Sequence, residues 1–236
     1  MDIIIDEGNT SVKIGCFVKK QLVEYFLVKN TKEVLAILAL KQYERLIYSS
    51  VRQDYKNHPF DKQKTLLLDY NTPLPIVINY DTPITLGVDR IAGACSVYFL
   101  KSTKNVLVID MGSCITFDLL CENTFMGGII SPGMQMRIDT MPLFTGKLPI
   151  IKVDKTEEKI ELLGKTTESC MKSGVINGII GEINHTIARF EDEYQVSEIF
   201  LTGGDAKFFD KKLKTSTFVS QNLVLEGLYR ILEYNV

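Results

Sequence analysis

Two acidic turns of the same design follow β-branched runs and have the residue types needed to bind phosphates. They are Asp6-Glu7-Gly8-Asn9-Thr10 after Ile3-Ile4-Ile5, and Asp110-Met111-Gly112-Ser113-Cys114 after Leu107-Val108-Ile109. In each turn, the glycine lets the backbone approach a polyphosphate, hydroxyl or amide side chains supply neutral donors, and the carboxylate suits a hydrated Mg²⁺ or another hard cation. One such turn alone is more often an ordinary hairpin. Two copies favour a nucleotide phosphate clamp in a duplicated fold.

The elements around these turns must place them at hairpin tips. Alternating apolar patterns predict strands near 2–6, 11–18, 22–28, 46–50, 65–70, 75–79, 105–110, 115–121, 125–130, 197–202 and 216–219. Helical periods predict helices near 31–42, 88–101, 134–144, 166–193 and 222–233. The sequence therefore predicts a mixed α/β protein of two halves, 1–103 and 104–236, which face each other across a cleft.

A third motif lies between the two hairpins, in Gly87-Val88-Asp89-Arg90 at the start of a predicted helix. A glycine followed by an Asp–Arg pair places a carboxylate and a bidentate donor where anions gather. By itself the motif is weak, since an aspartate in the first helical turn usually only compensates the helix dipole. Phosphoryl transfer nevertheless needs a carboxylate near the acceptor hydroxyl, and Asp89 can be that group.

The sequence contains three further glycine-containing motifs, which are Gly127-Gly128-Ile129, Pro132-Gly133 and Thr202-Gly203-Gly204-Asp205-Ala206. In order and spacing along nearly the whole chain, the set resembles the type III pantothenate kinases. The resemblance implies a duplicated actin-like ATPase (ribonuclease H-like) fold with two halves around a nucleotide cleft, working as a homodimer. It also implies that ATP with Mg²⁺ phosphorylates pantothenate to 4'-phosphopantothenate, the first step of coenzyme A biosynthesis.

The resemblance further implies roles for individual residues. The ATP-binding residues it implies are Asp6, Glu7, Gly8, Asn9, Thr10, Ser11, Val12, Lys13 and Ser113. The implied pantothenate contacts are Tyr80, Gly87, Val88, Asp89, Arg90 and Thr167. Among these, Asp89 is expected to accept the proton and Arg90 to bind the substrate carboxylate. Asp110 resembles the ligand of a monovalent cation, K⁺ or NH₄⁺.

The chain departs from the family pattern at two places. Ser113-Cys114 stands where the family usually has Thr-Ala, and Glu7 is a charged residue in a slot that is commonly apolar. Because Ser113 keeps the hydroxyl, we expect altered nucleotide affinity rather than lost chemistry.

Composition excludes several other classes. A net charge of −2 and a pI near 5.8 give no basic surface for nucleic acid, and no apolar stretch approaches membrane-spanning length. The five cysteines are scattered without metal or redox spacing, which predicts reduced thiols of a cytoplasmic protein. In the long predicted helix, Gly174, Gly178 and Gly181 favour close core packing first and a subunit contact second.

Two alternative functions stay open at this point. One is a phosphotransferase of the same fold acting on a sugar, acetate or polyphosphate, because a fold does not fix a substrate. The other is a kinase-like regulatory protein, as the Bvg accessory factor relatives are thought to be, which binds a ligand or partner without needing turnover. The Gly87–Arg90 motif disfavours the first, and the presence of Asp6, Asp89 and Asp110 together disfavours the second.

Overall fold

A computed structural model of the chain describes residues 1–52, 57–156 and 159–235. The strands are β1 Asp2–Glu7, β2 Val12–Val18, β3 Gln21–Val28, β4 Arg45–Ser50, β5 Thr65–Leu67, β6 Val77–Ile78, β7 Asn105–Met111, β8 Cys114–Cys121, β9 Thr124–Pro132, β10 Glu198–Thr202 and β11 Phe218–Val219. The α-helices are α1 Thr31–Leu38, α2 Val88–Leu100, α3 Met134–Phe144, α4 Thr167–Tyr194, α5 Ala206–Asp210 and α6 Leu223–Tyr234. The mixed α/β prediction is confirmed.

The chain forms two compact units. Unit 1 comprises residues 1–101, 120–127 and 222–236, and unit 2 comprises residues 102–119 and 128–221. The chain first passes from unit 1 to unit 2 between Lys101 and Ser102, two residues before the predicted boundary at 103/104. The units differ from the predicted halves because α6 packs on α2, which returns the C-terminal segment to unit 1.

Unit 1 is built on a sheet of order β3-β2-β1-β4-β5. β1 is antiparallel to β2 and parallel to β4, and β4 is parallel to β5. On one face, Ile3 and Ile5 of β1 pack with Val34 and Leu38 of α1. Because side chains alternate along a strand, Ile4 and Asp6 point to the opposite face, where α6 and α2 contact the sheet. Asp6 therefore lies on the helix-covered face at the carboxyl end of β1.

Unit 2 has a sheet in which β11, β10, β7, β8 and β9 are neighbours in that order. β7, β10 and β11 run parallel, with Asp110 at the end of β7 in register with Thr202 at the end of β10. The turns that follow these two strands are thereby brought to one edge. Helix α4 packs on α3 and buries its predicted apolar stripe, Met171, Val175, Ile179, Ile183 and Ile187.

The predicted core role of the α4 glycines is wrong. Gly174, Gly178 and Gly181 lie on an exposed face, and a Cβ added to any of them meets no atom within 4 Å. The apolar stripe of α4 already fills the buried face, so the glycines are left on the outside of unit 2. Within the described ranges, no helix combines the length and apolarity that crossing a bilayer requires.

Candidate active site

The first phosphate turn is the tip of the β1–β2 hairpin in unit 1. Asp6 pairs with Lys13 and Glu7 with Val12 across the hairpin, and the Gly8 N–H donates to the Ser11 carbonyl at 3.0 Å. Asn9 and Thr10, at the tip, are exposed. The predicted phosphate loop is thus a closed turn that presents its amide and hydroxyl groups outward.

Asp6 is a buried carboxyl group, only 6% exposed, at the base of this turn. Burial raises the pKa of Asp6 from 3.8 to about 6, while the Lys13 ammonium lowers that pKa and the Asp89 carboxylate raises it. The Lys13 Nζ is 3.8 Å from Asp6 Oδ2. Two predicted motifs of unit 1 therefore contribute to the surroundings of Asp6, with Lys13 from the phosphate hairpin and Asp89 from the Gly87–Arg90 motif.

Glu7 lies in a different environment from Asp6, although the resemblance implied that it contacts ATP. As the next residue of β1, Glu7 points to the opposite face of the sheet, and it is 5% exposed. Its Oε2 accepts hydrogen bonds from the Tyr48 hydroxyl and, at 2.9 Å, from the Ser50 hydroxyl. Its Oε1 lies 3.4 Å from Arg52 Nη1. The Glu7 carboxylate is engaged with the end of β4.

The predicted acceptor motif begins α2. Gly87 is the N-cap, and the Asp89 Oδ1 accepts a hydrogen bond from the Arg90 N–H at 2.9 Å. A Cβ at Gly87 would lie only 2.5 Å from that Oδ1. The Asp89 carboxylate therefore folds back over the first helical turn into space that a side chain at residue 87 would occupy.

Arg90 is held among aromatic rings rather than in solvent. It is 8% exposed, and its guanidinium carbon lies 6.0 Å from the Tyr80 ring centroid and 5.6 Å from that of Phe125. Cation–π contacts of this kind orient a guanidinium without neutralising its charge. Tyr80 and Arg90, both predicted as acceptor contacts, are thus neighbours in the structure. Phe125 was missed, since nothing in its strand pattern separates it from a core residue.

A pocket of about 220 Å³ adjoins the acceptor motif within unit 1. It is lined by Ser50, Val51, Arg52, Leu68, Asp69, Tyr70, Ile84, Thr85, Leu86, Gly87 and Val88. The ends of β4 and β5 and the approach to α2 supply these residues. Arg52 was not predicted as a site residue, because no motif contains it.

In unit 2, the second acidic turn meets the Thr202–Ala206 turn. A Cβ added to Gly203, whose φ is +93°, would overlap Asp110 Oδ1, and the Asp205 N–H donates to the Met111 carbonyl at 3.0 Å. Only glycine adopts this backbone so close to another chain segment at little cost. Ser113 is exposed at the tip of its turn. The fold therefore places Asp110 beside the glycine pair.

Two further residues of unit 2 complete the description. Lys155 forms an ion pair with Asp205, a contact that sequence spacing did not reveal. Thr167 is the exposed first residue of α4, directly after Thr166, which caps the helix with Ser169. Thr167 and the unit 1 residues Tyr80 and Arg90 belong to different units, so its substrate role stays a prediction.

The side chains that could coordinate a metal ion limit which cations the protein can bind. In the described part of the chain, no group of three or more His, Cys, Asp or Glu side chains is arranged as a metal site. Mg²⁺ in phosphoryl-transfer enzymes is bound by one or two carboxylates, with water and substrate phosphates completing its shell. The buried Asp6 carboxylate, whose pKa is raised by burial and by the Asp89 carboxylate, fits that pattern.

Comparison with known proteins gives a consistent family. A family model described as Type III pantothenate kinase matches residues 3–189. A Type III pantothenate kinase from Phocaeicola vulgatus is 38% identical, in an alignment covering 100% of this chain and 99% of that protein. Both the matched range and the coverage include the hairpin of Asp6, the motif of Asp89 and the turn of Asp110.

Solved structures of low sequence identity share the fold. A Campylobacter jejuni protein described as a Baf family transcriptional activator has a TM-score of 0.67 at 21% identity, covering 99% of this chain and 98% of its own. A 2-dehydro-3-deoxygalactonokinase from Sinorhizobium meliloti has a TM-score of 0.60 at 11% identity, covering 99% of each chain. The predicted duplicated actin-like fold is confirmed by such neighbours. The chain belongs to the type III pantothenate kinase family.

Proposed function

We propose that this protein transfers the γ-phosphoryl group of ATP to pantothenate, giving 4'-phosphopantothenate for coenzyme A biosynthesis. The observation that carries the proposal, beside family membership, is the arrangement of unit 1. There burial and the Asp89 carboxylate of the Gly87–Arg90 motif both raise the pKa of Asp6 in the phosphate hairpin, which supports placing the two motifs near each other. A donor-side and an acceptor-side carboxylate at one place are what phosphoryl transfer between two bound molecules requires.

Asp89 is the proposed proton acceptor. It is half-buried at the start of α2, with Oδ1 oriented by the Arg90 N–H. A carboxylate held in this way can take the proton of the pantothenate hydroxyl as the phosphoryl group arrives. The Arg90 guanidinium, fixed by Tyr80 and Phe125, is proposed to orient the acceptor through its negative charge.

The hairpin of β1 and β2 is proposed to bind the ATP phosphates through its exposed backbone and side-chain donors, with Ser113 as a second contact. Mg²⁺ bound with ATP neutralises phosphate charge, and Asp6 is the residue proposed to hold it. The Lys13 ammonium lies beside Asp6 and can attract the phosphates to the turn.

A monovalent cation, K⁺ or NH₄⁺, is proposed at Asp110. The support is the resemblance together with the position of the Asp110 carboxylate beside the glycine pair of the neighbouring turn. The backbone carbonyls of such a turn and a carboxylate are suitable oxygen ligands for a hard cation.

We further propose a homodimer. The exposed glycine face of α4 lets another helix approach closely, and unit 2 also exposes large apolar side chains, namely Leu143, Phe144, Ile150, Leu162 and Leu163.

A cytoplasmic location is proposed because all five cysteines are free in the structure, in keeping with a reducing compartment. Neither a nucleic acid nor a membrane is a proposed partner.

The experiment that tests the function is a panel of acceptors with ATP, Mg²⁺ and K⁺. We expect mass spectrometry to detect phosphorylated pantothenate and no transfer to glucose, glycerol or acetate. Transfer to a sugar or acetate instead would favour the phosphotransferase alternative. A folded protein that binds ATP and yields no phosphopantothenate would favour the regulatory alternative.

A further inference from the structure

The pocket beside Gly87 contains an arginine whose position is set by a buried carboxylate. Arg52 lines the pocket, and its side chain is 40% exposed, whereas the Glu7 side chain that pairs with it is 7% exposed. The guanidinium has five N–H donors, more than the contact with Glu7 can use. Arg52 can therefore bind an anion in the pocket with some of its N–H groups while another contacts the Glu7 carboxylate.

Glu7 is firmly fixed on the side away from the pocket. Besides Arg52 it accepts hydrogen bonds from Tyr48 and Ser50, and the Val51 N–H donates to the Glu7 carbonyl at 3.2 Å. Burial and the hydrogen bond to Glu7 raise the pKa of the Tyr48 hydroxyl, which stays protonated as a donor. Burying a carboxylate costs desolvation free energy, and the hydrogen bonds and the ion pair of Glu7 offset that cost only in this arrangement.

The other charged group of the pocket is already occupied. Asp69 accepts hydrogen bonds from the Asn71 N–H at 2.8 Å and the Thr72 hydroxyl at 3.4 Å. These bonds direct the Asp69 carboxylate toward its own turn, and among the described residues the ion pair of Arg52 is with Glu7 rather than with Asp69. The pocket wall otherwise consists largely of apolar and hydroxyl side chains. The pocket can therefore hold a small molecule with an apolar body whose anionic end contacts Arg52.

From these contacts we infer that Glu7 and Arg52 form a positioning pair, in which Glu7 orients Arg52 and Arg52 binds the carboxylate of the acceptor beside Gly87 and Val88. This inference rests on the proposed function, since it takes pantothenate as the acceptor. It adds a second cation to the role expected of Arg90. It also gives a reason for the charged residue at position 7, where the family commonly has an apolar one.

The test compares pantothenate with pantothenol, the analogue in which an alcohol replaces the carboxylate. In Arg52→Gln, we expect the KM for pantothenate to rise about 10- to 100-fold, as for a lost charge-assisted hydrogen bond, with kcat unchanged. The KM for pantothenol should stay within about twofold, because that acceptor has no charge to lose. Arg52→Lys should recover part of the affinity for pantothenate.

Glu7→Gln should act in the same direction, because Arg52 loses the charge that orients it. Combining Glu7→Gln with Arg52→Gln should add little to Arg52→Gln alone. The matched control is Arg45→Gln, which removes the bidentate pair with Asp2 at the other end of the same two strands. Arg45→Gln should change the KM of neither acceptor.

The inference is overturned if Arg52→Gln affects both acceptors equally or affects neither. Failure of the proposed function looks different, since wild-type protein would then phosphorylate neither pantothenate nor pantothenol. In that case calorimetry of pantothenate binding to the wild type and to Arg52→Gln still decides the role of Arg52. Equal affinities, or no binding by the wild type, would refute it.

Discussion

Replacing Asp6 with asparagine should stabilise the ligand-free protein at pH 8 while weakening its binding of ATP with Mg²⁺. Asp6 is 6% exposed, and burial raises its pKa from 3.8 to about 6 in spite of Lys13. The folded state therefore resists ionisation of a group that the unfolded state ionises freely. This strain is useful only when a cation and phosphates are bound.

The size of the effect follows from the pKa. Each pKa unit corresponds to about 1.4 kcal/mol, so the rise in the pKa of Asp6 costs the folded state roughly 3 kcal/mol at pH 8. As pH falls through about 6, the folded carboxyl gains its proton and the cost shrinks. Below pH 3.8 both states are protonated, and the cost disappears. The gain in the free energy of unfolding from Asp6→Asn should therefore be largest at pH 8 and absent near pH 3.

Chemical denaturation of both proteins between pH 5 and pH 8 measures this difference, and titration with ATP and Mg²⁺ measures the loss of binding. The matched control is Asp2→Asn in the same strand. Asp2 is also buried, but it is paired with Arg45 at 2.8 Å, so its replacement should lower stability. Equal or lower stability of Asp6→Asn at pH 8 would show that the Asp6 carboxylate is not strained, and the electrostatic description of the site would be wrong.

Three other predictions concern unit 2. Asp110→Asn should flatten the dependence of rate on K⁺ and weaken ATP binding, and an unchanged K⁺ titration would remove the cation role. Gly203→Ala should destabilise the fold by about 1–3 kcal/mol in denaturant, since a Cβ at φ +93° overlaps Asp110 and Met111, whereas Gly204→Ala, with no atom near its Cβ, should be tolerated. Light scattering should give a dimer of the 26.7 kDa chain and a monomer for Gly178→Glu; an unaltered dimer would place the contact elsewhere.

Much of the fold could be predicted because local patterns and tertiary packing agree. The predicted strands and long helices are confirmed, and the apolar stripe of α4 is buried as its spacing indicated. The short helix α5 was missed because it has only five residues, too few to show a helical period. The exposure of Gly174, Gly178 and Gly181 was missed because spacing defines a helix face but does not tell which face meets the core.

The site was predictable where a motif is continuous in sequence. Asp6 with Lys13, and Asp89 with Arg90, lie within a few residues of one another or across a hairpin. Glu7 was assigned with its neighbours because the resemblance implies the whole stretch from Asp6 to Lys13 as the phosphate loop. In the structure Glu7 is the last residue of β1, and strand alternation turns its side chain to the face opposite Asp6. Arg52 and Phe125 of unit 1, and Lys155 of unit 2, lie far along the chain from the motifs of their own unit, and only folding brings each to its contacts.

The most direct test of the central claim is the turnover of Asp89→Asn with pantothenate. Asp89 is the carboxylate proposed for the acceptor side, and its replacement by asparagine keeps the size of the side chain while removing the proposed base. We expect wild-type protein to form 4'-phosphopantothenate and Asp89→Asn to lower kcat by roughly 10²–10⁴-fold with ATP binding nearly intact. Near wild-type turnover of Asp89→Asn would contradict the assignment of Asp89 as the proton acceptor.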